Sequence, residues 1–188
     1  MRIVGGKFKG RAIKAPEGRS TRPTSDRARE SIFNVLAHAD WAPPMEGARV
    51  IDAFAGSGAL GLEAMSRGAA FCLFVETDSA ARGCIRDNIE AFQLFGATRI
   101  HRRSATDLGA KPAGLGSPFD LVFMDPPYDY DLVPAALDQL RKGAWITPKA
   151  LVIAETSADQ AAPVTSEWDK LDERIYGAAR ISFLRGEG

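Results

Sequence analysis

The chain has 188 residues, 45% of them hydrophobic, and its 24 basic and 24 acidic side chains balance to a net charge of zero. This length and apolar content suffice for one compact domain with a full core and no covalent staples. Its two cysteines, Cys72 and Cys84, have no metal or redox spacing, which favours a reducing, cytoplasmic setting without a metal site. No apolar run approaches the roughly 20 residues of a membrane span.

Basic residues concentrate at the N-terminus. The first 30 residues hold nine Lys or Arg against three Asp or Glu, so a local charge of +6 is balanced by −6 in the remainder. A local basic arm attracts phosphates, although a merely solvated extension is an alternative. Interleaved glycines predict a hairpin and loop over residues 1–25 that contact nucleic acid. A helix over residues 26–36, capped by Ser25 or Thr24, is predicted to follow.

A glycine loop follows the first predicted strand. The segment from Asp52 to Gly61 reads Asp-Ala-Phe-Ala-Gly-Ser-Gly-Ala-Leu-Gly and leads into a helical sequence. Glycines let a ligand approach the backbone, and the helix N-terminus offers unpaired N–H groups. Fifteen residues after Gly61 the next apolar run ends in Glu76, which could accept both hydroxyls of a ribose. This fingerprint alone fits NAD as well as S-adenosylmethionine.

Two further features separate these cofactors. Asp52 lies four positions before Gly56, where it could meet the ammonium of a methionine moiety but would be badly placed beside a pyrophosphate. The segment Asp125-Pro-Pro-Tyr128 ends a later strand. Its carboxylate and the Pro126 carbonyl could accept the hydrogens of a flat exocyclic amine, and Tyr128 could stack on the base. A strand-ending turn would explain the segment alone, but together the two features favour a methyltransferase over an oxidoreductase.

The remaining elements alternate as in an open parallel sheet. Strands are predicted near 49–53, 71–75, 98–102, 119–124 and 150–155, with helices near 59–67, 79–94 and 131–142 and two more strands within 171–185. Ligands in such sheets bind beyond the carboxyl ends of the strands. Asp52, Glu76 and Asp125 are therefore predicted to surround one crevice.

The chain resembles class I S-adenosylmethionine-dependent methyltransferases, and closely the bacterial small-subunit ribosomal RNA guanine-N2 methyltransferase family. The resemblance rests on the segments 2–6, 9–11, 22–24, 26–34, 52–64 and 125–128. It implies a Rossmann-like α/β fold, with a seven-stranded, mostly parallel sheet, an antiparallel last strand, helices on both faces and an N-terminal β-hairpin. Residues 1–25 would form the basic extension and residues 26–188 the methyltransferase domain.

The resemblance also implies methyl transfer from S-adenosylmethionine to the exocyclic N2 of a guanine in small-subunit ribosomal RNA, by a monomer acting on the RNA or on a subunit assembly. The expected catalytic residues are Asp125, Pro126, Pro127 and Tyr128. The expected cofactor contacts are Asp52, Phe54, Ala55, Gly56, Ser57, Gly58, Gly61, Glu76, Thr77, Ser104, Ala105 and Asn34. The expected RNA contacts are Lys7, Lys9, Arg11, Arg22, Thr24, Arg27 and Arg29.

One position departs from the class pattern. Many class I methyltransferases place an acid after the third strand, against the adenine amine, whereas this chain has Ser104-Ala-Thr106 there, with Asp107 as a substitute. Two other functions share these motifs. One is an adenine-N6 DNA methyltransferase, and the other is a non-catalytic RNA-binding assembly factor on the same fold.

Overall fold

The computed structural model describes residues 1–16, 26–127, 132–162 and 166–186. Its four α-helices, among these residues, are α1 (Asp26–His38), α2 (Ala59–Ser66), α3 (Ser79–Ala91) and α4 (Val133–Lys142). Its seven strands are β1 (Arg49–Ala53), β2 (Phe71–Val75), β3 (Thr98–His101), β4 (Phe119–Met124), β5 (Ile146–Ser157), β6 (Trp168–Tyr176) and β7 (Ala179–Gly186).

The strands form one sheet in the order β3-β2-β1-β4-β5-β7-β6. Strands β1 to β5 pair in parallel, whereas β7 lies antiparallel between β5 and β6. The predicted α/β fold is thus confirmed, including the antiparallel last strand. The parallel strands end at the same edge of the sheet, and β1 lies between β2 and β4 at its centre.

Both faces of the central strands are buried, which explains their mostly apolar sequences. Alternate side chains such as Val50, Phe74 and Phe123 pack beneath α1, α2 and α3. The intervening side chains pack against α4 and Trp145 on the other face. This sandwich fixes the carboxyl ends of β1, β2 and β4, from which the predicted site residues project.

Among the individually predicted elements, helix α3 and strand β5 differ most in length from their predictions. Helix α3 ends at Ala91 rather than near residue 94, because Gln93 adopts a left-handed φ of 56° and its N–H bonds to the Glu90 carbonyl. Strand β5 begins at Ile146, earlier than predicted, through a pairing with Phe119 that precedes a register shift. The predicted caps of α1, Ser25 and Thr24, lie outside the described residues.

The N-terminal segment is a short hairpin packed on the outside of α2 and α3. Arg2 and Ala12 form an antiparallel bridge, and a 3-10 turn over Gly6–Phe8 reverses the chain. Ile3 is 1% exposed and belongs to the main core. The basic hairpin is thus a layer of the same folded unit. Among the described residues, no helix is long and apolar enough to cross a membrane.

Candidate active site

The glycine loop between β1 and α2 turns sharply. Phe54, Gly56 and Gly58 have positive φ values of 58°, 55° and 78°. The turn is fixed by bonds from the Ala55 N–H to the Val75 carbonyl at 3.0 Å and from the Gly58 N–H to the Ala55 carbonyl at 2.7 Å. A Cβ added at Gly56 would meet nothing closer than the Phe54 carbonyl oxygen at 4.0 Å. The backbone there faces open space that a ligand can enter.

Gly61 has a different reason for being glycine. A Cβ at this position would lie 2.5 Å from a Phe74 ring carbon and 2.6 Å from the Cys72 sulfur. Helix α2 therefore sits directly on β1 and β2, as the third glycine of such loops allows. Close contact brings the Gly61 N–H to the Asp52 Oδ2 at 2.8 Å.

Asp52 is a buried carboxylate at the end of β1, only 2% exposed. Burial raises the pKa of the Asp52 carboxyl well above its ordinary value; the Gly61 N–H opposes this rise, and the negative charges of Asp125 and Glu76 add to it. The three carboxyls therefore share one electrostatic environment, as the sequence predicted. A positively charged ligand would relieve their mutual repulsion.

Glu76 follows β2 and ties two loops together. Its Oε2 accepts the Gly56 N–H at 2.8 Å and its Oε1 accepts the Asp78 N–H at 2.7 Å. Asp78 in turn caps α3 by accepting the Ala81 N–H at 2.8 Å. The side chain of Glu76 is thus held rigidly against the glycine loop. Each of its oxygens keeps a further lone pair for a hydroxyl donor.

Asp125 directly follows β4, whose last residue, Met124, pairs with Ala53 of β1. This register places Asp125 beside the start of the glycine loop, and side-chain alternation places it on the same face of the sheet as Asp52. Asp125 is half-buried, Pro126 is buried and Pro127 is exposed. Tyr128 lies outside the described residues.

The loop after β3 borders the same crevice, because the Glu76 N–H bonds to the His101 carbonyl at 3.1 Å. Ser104 is bound within this loop, with its Oγ 2.8 Å from the Thr106 hydroxyl. Ala105 is buried and Asp107 is exposed. Thr77 contributes its carbonyl to the Arg82 guanidinium. The loop thus presents a hydroxyl rather than a buried acid.

Arg29 was predicted to contact RNA, and the structure shows that this is wrong. The Arg29 side chain is 0% exposed, bonds to the Arg2 carbonyl and pairs with Asp26 at 2.8 Å. Arg29 lies on the face of α1 that also buries Ile32, Phe33 and Leu36. The guanidinium therefore ties the N-terminal hairpin to α1 and is closed to solvent.

Asn34 was expected beside the cofactor, but the structure places it elsewhere. It lines a groove between α1 and β6, together with Trp41 and Tyr176. Strand β6 is the far edge of the sheet from β2 and β3. Asn34 therefore lies in a groove that is separate from the glycine loop.

The other expected RNA contacts divide into two groups. Lys7, Lys9, Arg11 and Arg27 are exposed. Arg11 stacks over the Phe92 ring at 4.5 Å and bonds to the Ala91 carbonyl at the end of α3. Arg22 and Thr24 lie outside the described residues. The hairpin turn lies near the last residue of α2, Ser66, about 10 Å along that helix from the glycine loop.

The sequence interpretation did not identify three polar residues that hold the N-terminal hairpin against α2, α3 and the glycine loop. Asn88 is 2% exposed and donates to the carbonyls of Lys14 at 2.9 Å and Ser57 at 3.1 Å, so it links the hairpin to the glycine loop. Glu63 and Ser66 accept the N–H groups of Val4 and Phe8, each at 2.9 Å. A signal existed for Asn88, because it falls on the apolar face of α3 with Ala81, Cys84 and Ile85.

In the part of the chain that the structure describes, there is no cluster of three or more His, Cys, Asp or Glu side chains that could hold a metal ion. Two carboxylates of the crevice are instead bound to backbone groups, because Asp52 accepts the Gly61 N–H and Glu76 accepts the Gly56 N–H.

The sheet order, the glycine loop and the acids at the ends of β1 and β2 define a class I methyltransferase fold. A ribosomal protein L11 methylase from Lactobacillus delbrueckii, 14% identical, shares this fold with a TM-score of 0.63 over 87% of this chain and 80% of that one. The chain belongs to the family described as Conserved hypothetical protein 95, which it matches over residues 1–185.

Relatives in this family carry informative names. The Ribosomal RNA small subunit methyltransferase D of Escherichia coli K12 is 34% identical over 188 residues, which cover 100% of this chain and 90% of that protein. The protein of the same name from Haemophilus influenzae is 32% identical over 94% of this chain and 89% of its own length. The resemblance to the small-subunit ribosomal RNA methyltransferases is thereby confirmed.

Solved structures agree over the whole chain. A candidate methyltransferase from Escherichia coli, 32% identical, superposes with a TM-score of 0.85 over 100% of this chain and 98% of that one. A hypothetical protein from Thermus thermophilus, 29% identical, gives a TM-score of 0.77 over 100% and 99%. Both comparisons include the N-terminal hairpin as well as the sheet.

Proposed function

We propose that this protein transfers a methyl group from S-adenosylmethionine to the exocyclic N2 of a guanine in small-subunit ribosomal RNA. The observation that carries the proposal is the convergence of Asp52, Glu76 and Asp125 at the open side of a glycine loop. The names of the family's characterised relatives support RNA as the substrate.

The crevice fits S-adenosylmethionine better than a dinucleotide. Asp52 would hold the methionine ammonium, and Glu76 would accept the ribose hydroxyls through its remaining lone pairs. The backbone at Gly56 is open to close approach. Three neighbouring carboxylates would repel a pyrophosphate but attract the ammonium and sulfonium of this cofactor. When bound, S-adenosylmethionine supplies the electrophilic methyl group.

Asp125 and the Pro126 carbonyl are the groups proposed to prepare the amine. The lone pair of an exocyclic amine is delocalised into the base, so the nitrogen is flat and a poor nucleophile. Two acceptors for its hydrogens favour a pyramidal nitrogen and stabilise the positive charge that develops on it. Proline at 126 and 127 removes N–H groups that would repel the amine. Tyr128 is proposed to stack on the base and fix its angle.

The substitution Asp125→Asn tests this role. It keeps the size of the side chain and removes its negative charge, so kcat on small-subunit ribosomal RNA should fall by about 100-fold or more. S-adenosylmethionine affinity, measured by calorimetry, should stay within a few-fold of the parent. The matched control is Asp138→Asn, a partly exposed carboxylate on α4 that pairs with Lys142, which should leave both quantities unchanged. Turnover within a few-fold of the parent in Asp125→Asn would refute the proposed role.

The identity of the base needs a separate measurement. RNA methylated by the purified enzyme should be digested to nucleosides and analysed by mass spectrometry, with duplex DNA treated in parallel. N2-methylguanosine from the RNA alone is the expected product. N6-methyladenine would establish the adenine alternative, and no product despite cofactor binding would favour an assembly factor. A flipped or unpaired guanine is required, because the exocyclic amine is inaccessible within a stacked helix.

A further inference from the structure

A second groove lies between α3 and the edge strand β3, outside the crevice described above. Its volume is about 390 Å³, within the roughly 300 to 1000 Å³ of ligand pockets. Phe95 and Ile89 provide its apolar lining, Arg86 and Arg99 provide positive charge, and Glu90 is the one acid among its lining residues. The proposed methyl transfer makes no use of it.

The turn that joins α3 to β3 displays Phe95 on the rim of this groove. Leu94 is 5% exposed and bonds through its N–H to the Ile89 carbonyl at 3.0 Å, which anchors the turn. Gly96 then adopts a φ of 79° and reverses the chain. Phe95 lies between these two fixed residues with 69% of its surface exposed. Its ring is therefore held at the surface by a rigid turn.

A single exposed phenylalanine is common on protein surfaces, so its neighbours decide its meaning. Arg86 and Arg99 are both exposed, and within the described residues neither makes an ion pair or a side-chain hydrogen bond. Arg86 does not pair even with Glu90, four residues later on α3. Arg102 and Arg103, also exposed, continue the positive surface past the end of β3.

This positive surface leads toward the proposed active site. The carboxyl end of β3 lies beside Glu76, through the 3.1 Å bond from the Glu76 N–H to the His101 carbonyl. Thr98, at the groove, is three residues from His101, which is about 10 Å along a strand. One side chain for base stacking and several free guanidiniums thus lie along one path to the crevice.

We propose that the α3–β3 groove binds a single-stranded RNA segment that flanks the methylated nucleotide, with Phe95 stacking on a base and Arg86 and Arg99 contacting phosphates. This proposal rests on the proposed function and extends it to the RNA outside the catalytic crevice. Aromatic faces and positive grooves are the two elements with which proteins hold unpaired RNA. An extended peptide paired with β3 fits less well, because a four-residue edge with four nearby arginines favours a polyanion.

The test uses full-length protein, S-adenosylmethionine and two RNA samples: an in vitro transcript of small-subunit ribosomal RNA and, in parallel, small-subunit particles that contain ribosomal proteins. Phe95→Ala should weaken RNA binding by about 5-fold or more, whereas Phe95→Tyr should retain it because the aromatic face remains. The double variant Arg86→Gln/Arg99→Gln should reduce the slope of log Kd against log salt by roughly 1.4, from two lost phosphate contacts on a single strand. KM for RNA should rise in both variants while kcat at saturating RNA stays unchanged.

Two controls match these variants. Ile175→Ala removes the other large exposed hydrophobic side chain among the described residues, 56% exposed on β6 at the opposite edge of the sheet. Lys149→Gln removes an exposed charge at the start of β5. Neither control should change RNA affinity, and all variants should keep the parent's melting temperature and cofactor affinity.

The outcomes separate this inference from the proposed function. If the parent methylates the RNA and the groove variants bind it as tightly as the parent does, the groove proposal is overturned and the proposed function stands. If the variants lose affinity only for subunit particles that contain ribosomal proteins, the groove binds protein instead, which also overturns it. If the parent neither binds nor methylates the RNA, either as the transcript or in the subunit particles, the proposed function fails first.

Discussion

At the scale of single residues, Gly61 shows how one missing side chain shapes the site. The substitution Gly61→Ala should destabilise the protein by about 1 to 3 kcal/mol, because the new Cβ would overlap the Phe74 ring and the Cys72 sulfur at 2.5 and 2.6 Å. The gain in helix propensity, about 1 kcal/mol, is too small to offset an overlap with two buried side chains. Urea unfolding measures the difference.

Gly114→Ala is the control for this change. Gly114 has no heavy atom within 4 Å of its built Cβ and no positive φ, so its substitution should leave the free energy of unfolding unchanged or raise it by up to about 1 kcal/mol. Equal stability of Gly61→Ala and the parent would contradict the packing described for α2. Gly61→Ala should also weaken cofactor binding, since the Cβ built at Gly61 lies 3.1 Å from the Asp52 Cβ.

Asp52 predicts a pH dependence. Burial raises its folded pKa, so the folded state holds this proton more tightly than the unfolded chain does. Its contribution to stability is complete below the unfolded value, about 3.9, and is lost as pH rises through the raised folded pKa. Asp52→Asn removes this contribution but keeps an oxygen for the Gly61 N–H. The free energy of unfolding of the variant, relative to the parent, should therefore increase with pH.

Unfolding of the cofactor-free protein at a series of pH values between about 4 and 8 checks this sign. Each pKa unit of the shift corresponds to about 1.4 kcal/mol. A difference between Asp52→Asn and the parent that is flat across this range would contradict the assignment. A variant that instead becomes less stable relative to the parent as pH rises would reverse the sign of the dependence and exclude the assignment as well.

The individual site residues were predictable to different extents. Asp52 is the penultimate residue of β1, and Glu76 and Asp125 directly follow β2 and β4, so strand prediction alone located them together. Arg29 was predicted wrongly because its charge suggested an RNA contact, whereas its spacing along α1 indicates a buried position. It stands three and four residues before Ile32 and Phe33, on the buried face of α1. The positive φ of Phe54 could not be predicted from the sequence, because phenylalanine rarely adopts a left-handed conformation.

At the scale of elements, the N-terminal hairpin depends on Ser66 at the end of α2. Its hydroxyl accepts the Phe8 N–H at 2.9 Å and donates to the Gly5 carbonyl at 2.6 Å. Ser66→Ala would leave both backbone groups unpaired in a site that is 3% exposed, a cost of about 1 to 3 kcal/mol. Hydrogen exchange of the amides in the hairpin should therefore accelerate, while cofactor affinity stays near the parent value.

Ser117→Ala provides the comparison, because Ser117 is exposed before β4 and its hydroxyl makes no hydrogen bond to the described residues. It should leave hairpin exchange unchanged. If Ser66→Ala exchanges like the parent, the hydroxyl bridge is not what holds the hairpin to α2.

Element bounds followed burial. Strands β1, β2 and β4 were predicted residue for residue, because burial on both faces makes their sequences predominantly apolar. Strand β5 was predicted too short, because its first residues, Ile146 to Lys149, are only partly buried or exposed and include a proline. The end of α3 depends on the backbone conformation of Gln93, which propensity does not reveal.

At the scale of the whole molecule, cofactor binding should couple to stability. S-adenosylmethionine at 100 times its Kd adds about 2.7 kcal/mol to the free energy of unfolding. For a chain of this size this corresponds to a rise in melting temperature of roughly 5 to 10 °C. The rise should be much smaller at the same concentration for Asp52→Asn, measured by differential scanning calorimetry. An equal rise in both proteins would show that Asp52 does not contribute to cofactor binding.

The last strand of the sheet has a consequence for how this protein is made. Strand β7 lies between β5 and β6, and its Ile181, Phe183 and Leu184 are fully buried. During synthesis, β5 emerges with its outer edge unpaired, and β6 has no neighbour until β7 arrives. Pairing in this half of the sheet must therefore wait until β7 has left the ribosomal exit tunnel, and until then the unpaired edges of β5 and β6 favour aggregation.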